Sequence, residues 1–110
     1  ESMTKFYGYP LLITEPTAEK LPHDFALRLI DTIPVKALKR DLPLYTPLVR
    51  KNMSESELAE LAAVNAIMAK YVAQDFEAVI ADITRQFPTP DRHLAYIAQK
   101  CRQHLRDLKG

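Results

Sequence analysis

Two residues of the kinds that bind metals or act as nucleophiles lie close together near the end of the chain. Cys101 and His104 are three positions apart, a spacing that puts both on one side of a helix, within reach of a single metal ion. They make only half of a metal site, and His93 lies about three helical turns from His104, too far to complete it. Cys101 also falls within an apolar stripe, so we interpret it as a buried core residue and predict no metal site.

The same pair could also be considered for nucleophilic catalysis, but the sequence supplies no oxyanion-stabilising group and no third residue to orient the pair. Gly8 and Gly110 are the only glycines, so the chain has no glycine-rich loop that could cradle a phosphate. We therefore predict no catalytic residue, no cofactor and no enzymatic activity.

Basic side chains are the main candidates for binding a charged partner. One group projects onto the outward side of the predicted C-terminal helix: Arg92, Arg102, Arg106 and Lys109. A second group, in the N-terminal half, consists of Lys36, Lys39 and Arg40. Such clusters bind phosphates or acidic surfaces. The alternative, a solvated helix face with cations favourably placed near a helix C-terminus, stays open.

The C-terminal half should position these groups on two helices. Residues 54–87 contain no glycine and no proline, so we predict one long helix over this range. Ser54 and Glu57 fit a capping box at its start, and Pro88 cannot continue it. Pro90 then begins a second helix over 90–108, and the short corner between the two predicts a helical hairpin.

The N-terminal half is interrupted by prolines, and we predict short elements there. Gly8, Pro10 and Pro16 indicate an extended arm over residues 4–16. Apolar residues at helical spacing indicate a helix over about 22–33, with a face formed by Phe25, Leu29, Ile30 and Ile33. The spacing of Val35, Leu38 and Leu42 indicates another helix over about 35–42. The predicted fold class is therefore all-α, in a single domain spanning residues 1–110.

The long helix carries a second apolar face, formed by Val64, Ile67 and Tyr71. Either other parts of the same chain cover this face or it meets a second copy of the protein, and we predict a homodimer with this face as its interface. Asn65 falls within the main apolar stripe and needs a hydrogen-bonding partner. That partner is either a carbonyl in a neighbouring loop or the same asparagine across a two-fold axis.

The composition excludes some cellular locations and some classes of partner. A formal net charge of +1 gives no overall attraction to nucleic acid or anionic membrane. A single cysteine excludes an internal disulfide and favours a reducing compartment, so we predict a cytoplasmic protein. No apolar run is long enough to span a bilayer, and we predict no membrane partner. Glu1 and Ser2 precede Met3, and we interpret them as a cloning remnant.

These observations favour a non-enzymatic interaction protein: a small dimeric helical regulator or adapter that binds another protein. The alternative hypothesis is a nucleic-acid-binding accessory protein that uses the basic C-terminal helix. No stretch of the sequence carries a resemblance to a known family.

Overall fold

The computed structural model describes residues 2–109, so Glu1, one half of the predicted cloning remnant, lies outside the described residues. The elements are α1 (Ser2–Tyr7), β1 (Ile13–Thr14), α2 (Glu15–Glu19), β2 (Phe25–Val35), β3 (Arg40–Val49), α3 (Glu55–Val72), α4 (Phe76–Gln86) and α5 (Arg92–Lys109), with 3₁₀ turns at Lys36–Leu38 and Arg50–Asn52. They divide into two compact units: a sheet unit of residues 11–66 and a helical unit that includes residues 2–10 and 67–109. The prediction of a single domain stays a prediction.

The predicted all-α class is wrong, because the sheet unit contains a three-stranded antiparallel sheet in the order β1-β3-β2 and the fold is α+β. The helix predicted over 22–33 is replaced by β2, and the helix predicted over 35–42 by a 3₁₀ turn and the start of β3. Burial alternates over the first half of β2, where Ala26, Arg28 and Ile30 are buried and Phe25, Leu27 and Leu29 are half-buried. Alternating burial is the period of two that a strand produces. The sequence does not show this period as alternating apolar residues, because one of the buried positions is an arginine.

Three prolines that suggested breaks sit where an antiparallel sheet tolerates them. The Arg50 N–H donates to the Asp24 carbonyl at 2.9 Å, directly beyond the Phe25–Val49 pair. Because backbone groups alternate in direction along a strand, Pro43 and Pro47 then face away from β2 and towards the side of β1. β1 pairs with Leu44 and Tyr45 of β3 and with neither proline, so the two prolines need no ladder bond. Pro34 lies opposite Asp41 on β2, which is an edge strand. The prolines therefore do not interrupt the β2–β3 pairing.

The predicted extended arm over residues 4–16 is also wrong at both ends. α1 reaches Tyr7 and ends at Gly8, whose φ of +79° is a conformation that favours glycine. A Cβ at position 8 would lie 3.1 Å from the Arg92 Cβ, so close packing against α5 also favours glycine there. Pro16 lies in the first turn of α2, where its missing N–H is not needed for a helical bond.

The long helix predicted over 54–87 is interrupted, since α3 ends at Val72 and α4 begins at Phe76. Gln74 adopts a left-handed φ of 66°. The Gln74 N–H donates to the Tyr71 carbonyl and the Asp75 N–H to the Lys70 carbonyl, both at 2.9 Å. This bonding pattern is a Schellman motif, which ends helices, with glutamine in the position that glycine usually takes. The chain therefore ends a helix without the residue that signals such an end.

The predicted start of the long helix is confirmed at Ser54. The Ser54 N–H donates to Glu57 Oε1 at 2.9 Å, and the Glu57 N–H donates to Ser54 Oγ at 3.1 Å. These are the two reciprocal bonds of a capping box. The predicted C-terminal helix over 90–108 is also confirmed, as α5 over Arg92–Lys109.

We expect Ser54→Ala to lower the free energy of unfolding by about 0.5–2 kcal/mol, because it removes the acceptor for the Glu57 N–H. Chemical denaturation of the parent and the variant measures the loss. Ser56→Ala is the matched control, since it makes the same change two positions along, inside α3, where alanine is the better helix former. Equal effects from the two variants would show that the cap contributes nothing specific.

The helical unit is held together by the packing of α4 on α5, the pairing expected of the predicted hairpin. The buried apolar side chains of these two helices are Val79, Ile83, Leu94, Ile97, Ala98 and Cys101. Asp82 on α4 is buried and accepts hydrogen bonds from Lys70 and Arg85. Within the described residues, no helix is long and apolar enough to cross a bilayer.

In the sheet unit, Asn65 occupies the outer edge of β2. Its Nδ2 donates to the Leu27 carbonyl at 3.0 Å, and its Oδ1 accepts from the Leu29 N–H at 2.9 Å. The asparagine side chain thus takes the place of one peptide group of a neighbouring strand. Farther along this edge, the Thr32 N–H donates to Asp31 Oδ1 and Pro34 has no N–H. These positions of β2 offer no free donor to an added strand, which limits edge-to-edge association.

Candidate functional site

The predicted basic residues of the C-terminal helix are all exposed on α5, in the helical unit: Arg92, Arg102, Arg106 and Lys109. They do not share one role. Arg106 donates to Gln103 Oε1 at 2.7 Å, and Gln103 donates in turn to Asp107. These hydrogen bonds run along the surface of α5, and the Arg106 side chain stays exposed to solvent.

Arg92 has a structural contact that the sequence did not indicate. Its Nη1 donates to the Lys5 carbonyl at 3.2 Å, and its side chain lies against Gly8. Since Lys5 belongs to the last turn of α1, this bond ties α1 to the start of α5. Arg92 therefore contributes to packing within the helical unit, whatever else it binds.

Arg102 lies at a cleft of about 280 Å³ between the end of α4 and α5. We call it the proline cleft, and its lining is Ile83, Thr84, Phe87, Pro88, Pro90, Ala95, Ala98 and Arg102. Apolar side chains dominate this lining, and Arg102 is its one charged member. Pro88 and Pro90 lie at the corner between the two helices, and Ala95 and Ala98 contribute only methyl groups to the lining.

Aromatic rings form a second feature of the helical unit. Phe6 is 52% exposed and stacks on Tyr96, with ring centroids 5.2 Å apart. Lys5, Arg92 and Gln99 line the shallow depression beside this pair. Lys100 Nζ lies 5.3 Å from the centroid of the Tyr96 ring, a distance at which a cation and an aromatic ring attract each other. Stacked rings beside cations are typical of surfaces that bind nucleobases and phosphates.

A larger depression of about 460 Å³ lies where the start of α4 meets the end of α5. We call it the shelf, and its lining is Gln74, Asp75, Phe76, Glu77, His104, Leu105, Asp107 and Leu108. The rings of Phe76 and His104 stack at 4.6 Å and form part of it. Leu108 is 79% exposed. Its lining combines apolar side chains with three carboxylates and contains no lysine or arginine.

The residues considered for metal binding and nucleophilic catalysis have other surroundings. Cys101 is buried, whereas His104 is exposed and stacks on Phe76. His93 is buried, and its ring contacts the edge of Tyr7. Among the described residues, no group of three histidine, cysteine or acidic side chains is placed to hold a metal ion.

The second predicted basic group lies at the turn between β2 and β3, in the sheet unit. Lys36 and Lys39 are exposed, and Lys39 has the left-handed φ of 54° that closes the turn. Arg40 is exposed and lies 3.5 Å from Glu15 of α2. These cations and those of α5 therefore belong to different units.

The predicted dimer face is buried within a single chain. Val64, Ile67 and Tyr71 of α3 are all buried. This outcome matches the alternative in which the chain covers its own second face. Because the chain itself covers this apolar face, the face does not support a homodimer.

The Tyr45 phenol has a pKa that is clearly displaced from its ordinary value. Burial raises the pKa of the Tyr45 phenol, and the nearby carboxylates of Glu15 and Glu19 raise it further. The phenol therefore keeps its proton at neutral pH and cannot act there as a general base. In the described part of the chain, every buried side-chain nitrogen or oxygen has a hydrogen-bond partner.

Sequence reasoning found the charges of α5 but missed the proline cleft, the Phe6–Tyr96 stack and the shelf. The stack joins residues that are far apart in sequence, so no local sequence pattern predicts it. A signal for the shelf was present, because the apolar stripe of α5 continues to Leu105 and Leu108, close to the end of the helix.

Comparisons of this chain with protein-family models, with curated proteins and with solved structures found no match.

Proposed function

We propose that this chain is a non-enzymatic interaction protein that binds a segment of another protein at the proline cleft. The observation that supports the proposal is the combination of an apolar cleft with one guanidinium among its lining residues. A partner segment with a bulky apolar side chain would bury it between Phe87 and Ala98. A neighbouring carboxylate would then pair with Arg102, a geometry that arginine favours. Arg106, one helical turn along, extends the positive surface.

The expected result is that Arg102→Glu with Arg106→Glu abolishes partner binding and leaves the melting temperature nearly unchanged, because exposed charges contribute little to folding. The measurement is capture of partners from nuclease-treated lysate of the native host, with mass spectrometry. Binding by the parent protein should also weaken as ionic strength rises. Lys20→Glu with Lys51→Glu is the matched control, since it makes the same charge change at exposed positions of the sheet unit.

A double variant that captures the same proteins as the parent and the control would show that the basic surface of α5 is not the binding site. Partners that disappear only after nuclease treatment would indicate the alternative function, a nucleic-acid-binding accessory protein. The observation in favour of that alternative is the exposed Phe6–Tyr96 stack beside Lys5 and Arg92. Salt-dependent binding of a generic single-stranded oligonucleotide, lost in Phe6→Ala, would support it.

The predicted homodimer and the predicted cytoplasmic location are proposals as well. The location is supported by the single cysteine. The dimer no longer rests on Val64, Ile67 and Tyr71, since these side chains are buried in the chain itself. Light scattering on the purified protein at high micromolar concentration tests the dimer.

A further inference from the structure

The turn between β2 and β3 presents an apolar side chain to solvent among cations. Leu38 is 49% exposed at the end of the 3₁₀ turn, although it is a large aliphatic residue. Lys36, Lys39 and Arg40 surround it in sequence and are exposed. We call residues 36–40 the hairpin tip. A leucine in this position adds little to folding, because about half of its surface stays in water.

The shelf has the complementary chemistry. It offers the apolar surface of Phe76, Leu105 and Leu108, and three carboxylates lie among its lining residues: Asp75, Glu77 and Asp107. A leucine flanked by lysines suits such a surface, because the apolar side chain and the aliphatic stems of the lysines can be buried while their ammonium groups reach the carboxylates.

We propose that the hairpin tip of one copy of this chain docks on the shelf of a second copy. This inference rests on the proposed homodimer and names the surfaces that form it. A second copy is the occupant that the observations favour, because both complementary surfaces occur on this one chain. In a dimer with two-fold symmetry this contact occurs twice, once for each tip. The contact uses neither the proline cleft nor Arg102.

Reciprocal charge reversal tests the contact directly. The tip variant is Lys36→Glu with Lys39→Glu, and the shelf variant is Glu77→Lys with Asp107→Lys, all at exposed positions. Each variant alone should dimerise at least about tenfold more weakly than the parent, because like charges then face each other. In an equimolar mixture both contacts regain opposite charges, so a heterodimer should form with an affinity near that of the parent.

Sedimentation equilibrium measures each association constant, and circular dichroism verifies that each variant is folded. Lys20→Glu with Lys51→Glu, the matched charge control, should dimerise as the parent does. Leu38→Asp should weaken the dimer, whereas Leu11→Asp, at a leucine that is 54% exposed elsewhere in the sheet unit, should not.

The outcomes separate this inference from the proposals on which it depends. A parent protein that stays monomeric at high micromolar concentration overturns both the homodimer and the tip-to-shelf contact. A parent dimer that the tip and shelf variants leave intact overturns the contact alone. A mixture that fails to restore association, or variants that change only the melting temperature, also overturn it. Loss of partner capture in the Arg102 and Arg106 variant concerns the proline cleft and leaves this result unaffected.

Discussion

We expect Ile67→Glu to unfold the protein and not to separate a dimer. Ile67 is 1% exposed within a single chain, so the glutamate would bury a charge with no partner. We expect a loss of about 4 kcal/mol or more, because a buried unpaired charge is among the most damaging single changes. Small domains have a total stability of about 5–15 kcal/mol, so most or all of the folded population should be lost at moderate temperature.

Circular dichroism with thermal unfolding measures this effect, and light scattering measures the mass of whatever stays folded. Val72→Glu is the matched control, because Val72 lies in the same helix and is exposed. It should change stability by about 0.5 kcal/mol or less. A folded, monomeric Ile67→Glu variant would contradict the burial and would restore the predicted interface at Val64, Ile67 and Tyr71.

The start of α3 and the corner before α5 could be predicted from the sequence because their signals are local. A serine followed three positions later by a glutamate marks the start of α3, and Pro88 and Pro90 mark the corner before α5. In each case the physical cause lies within one turn of the residues that carry it. The capping bonds of Ser54 and Glu57 involve no other element.

The sheet could not be predicted in this way, because its stabilising contacts are not local. Leu29 and Ile33 match a helical stripe as well as a strand, and the alternation in β2 is hidden by the buried Arg28. Prolines at positions 43 and 47 look like breaks until the register of β3 places both on the side away from β2. Only pairing with a distant strand reveals which positions need an N–H.

The end of α3 shows a different limit. Helix ends are read from glycine or proline, and Gln74 is neither, yet it adopts the left-handed conformation. Such a conformation costs a non-glycine residue roughly 1–2 kcal/mol. The two capping bonds to Lys70 and Tyr71 offset part of this cost.

The candidate sites also divide into features set by local sequence spacing and features set by the packing of distant segments. The charges of Arg102 and Arg106 were visible because helical spacing alone puts them on one side of α5. The cleft beside Arg102 was not visible, because it depends on how α4 and α5 meet. The acidic lining of the shelf also joins residues from two helices, and only Leu105 and Leu108 hinted at it.

Asn65→Ala should cost about 2–4 kcal/mol, because it leaves two backbone groups of β2 without partners. The Leu27 carbonyl and the Leu29 N–H both bond to the Asn65 amide. The alanine methyl group forms neither hydrogen bond. The edge is partly buried, so water does not fully replace the two bonds. The sequence showed that this amide needed a partner, and the partner is a strand edge instead of a second asparagine.

Denaturant unfolding measures the loss, and hydrogen exchange localises it, because the Leu29 amide should exchange faster once its acceptor is removed. Asn52→Ala, at an exposed asparagine of the sheet unit, is the matched control and should change stability by about 0.5 kcal/mol or less. If the two variants were equally stable and Leu29 stayed protected, Asn65 would not hold the edge of β2.

If Asn65 instead paired across a two-fold axis, the loss in Asn65→Ala would depend on protein concentration. The bonds within a single chain predict a loss that is independent of concentration, because both partners of Asn65 belong to its own subunit.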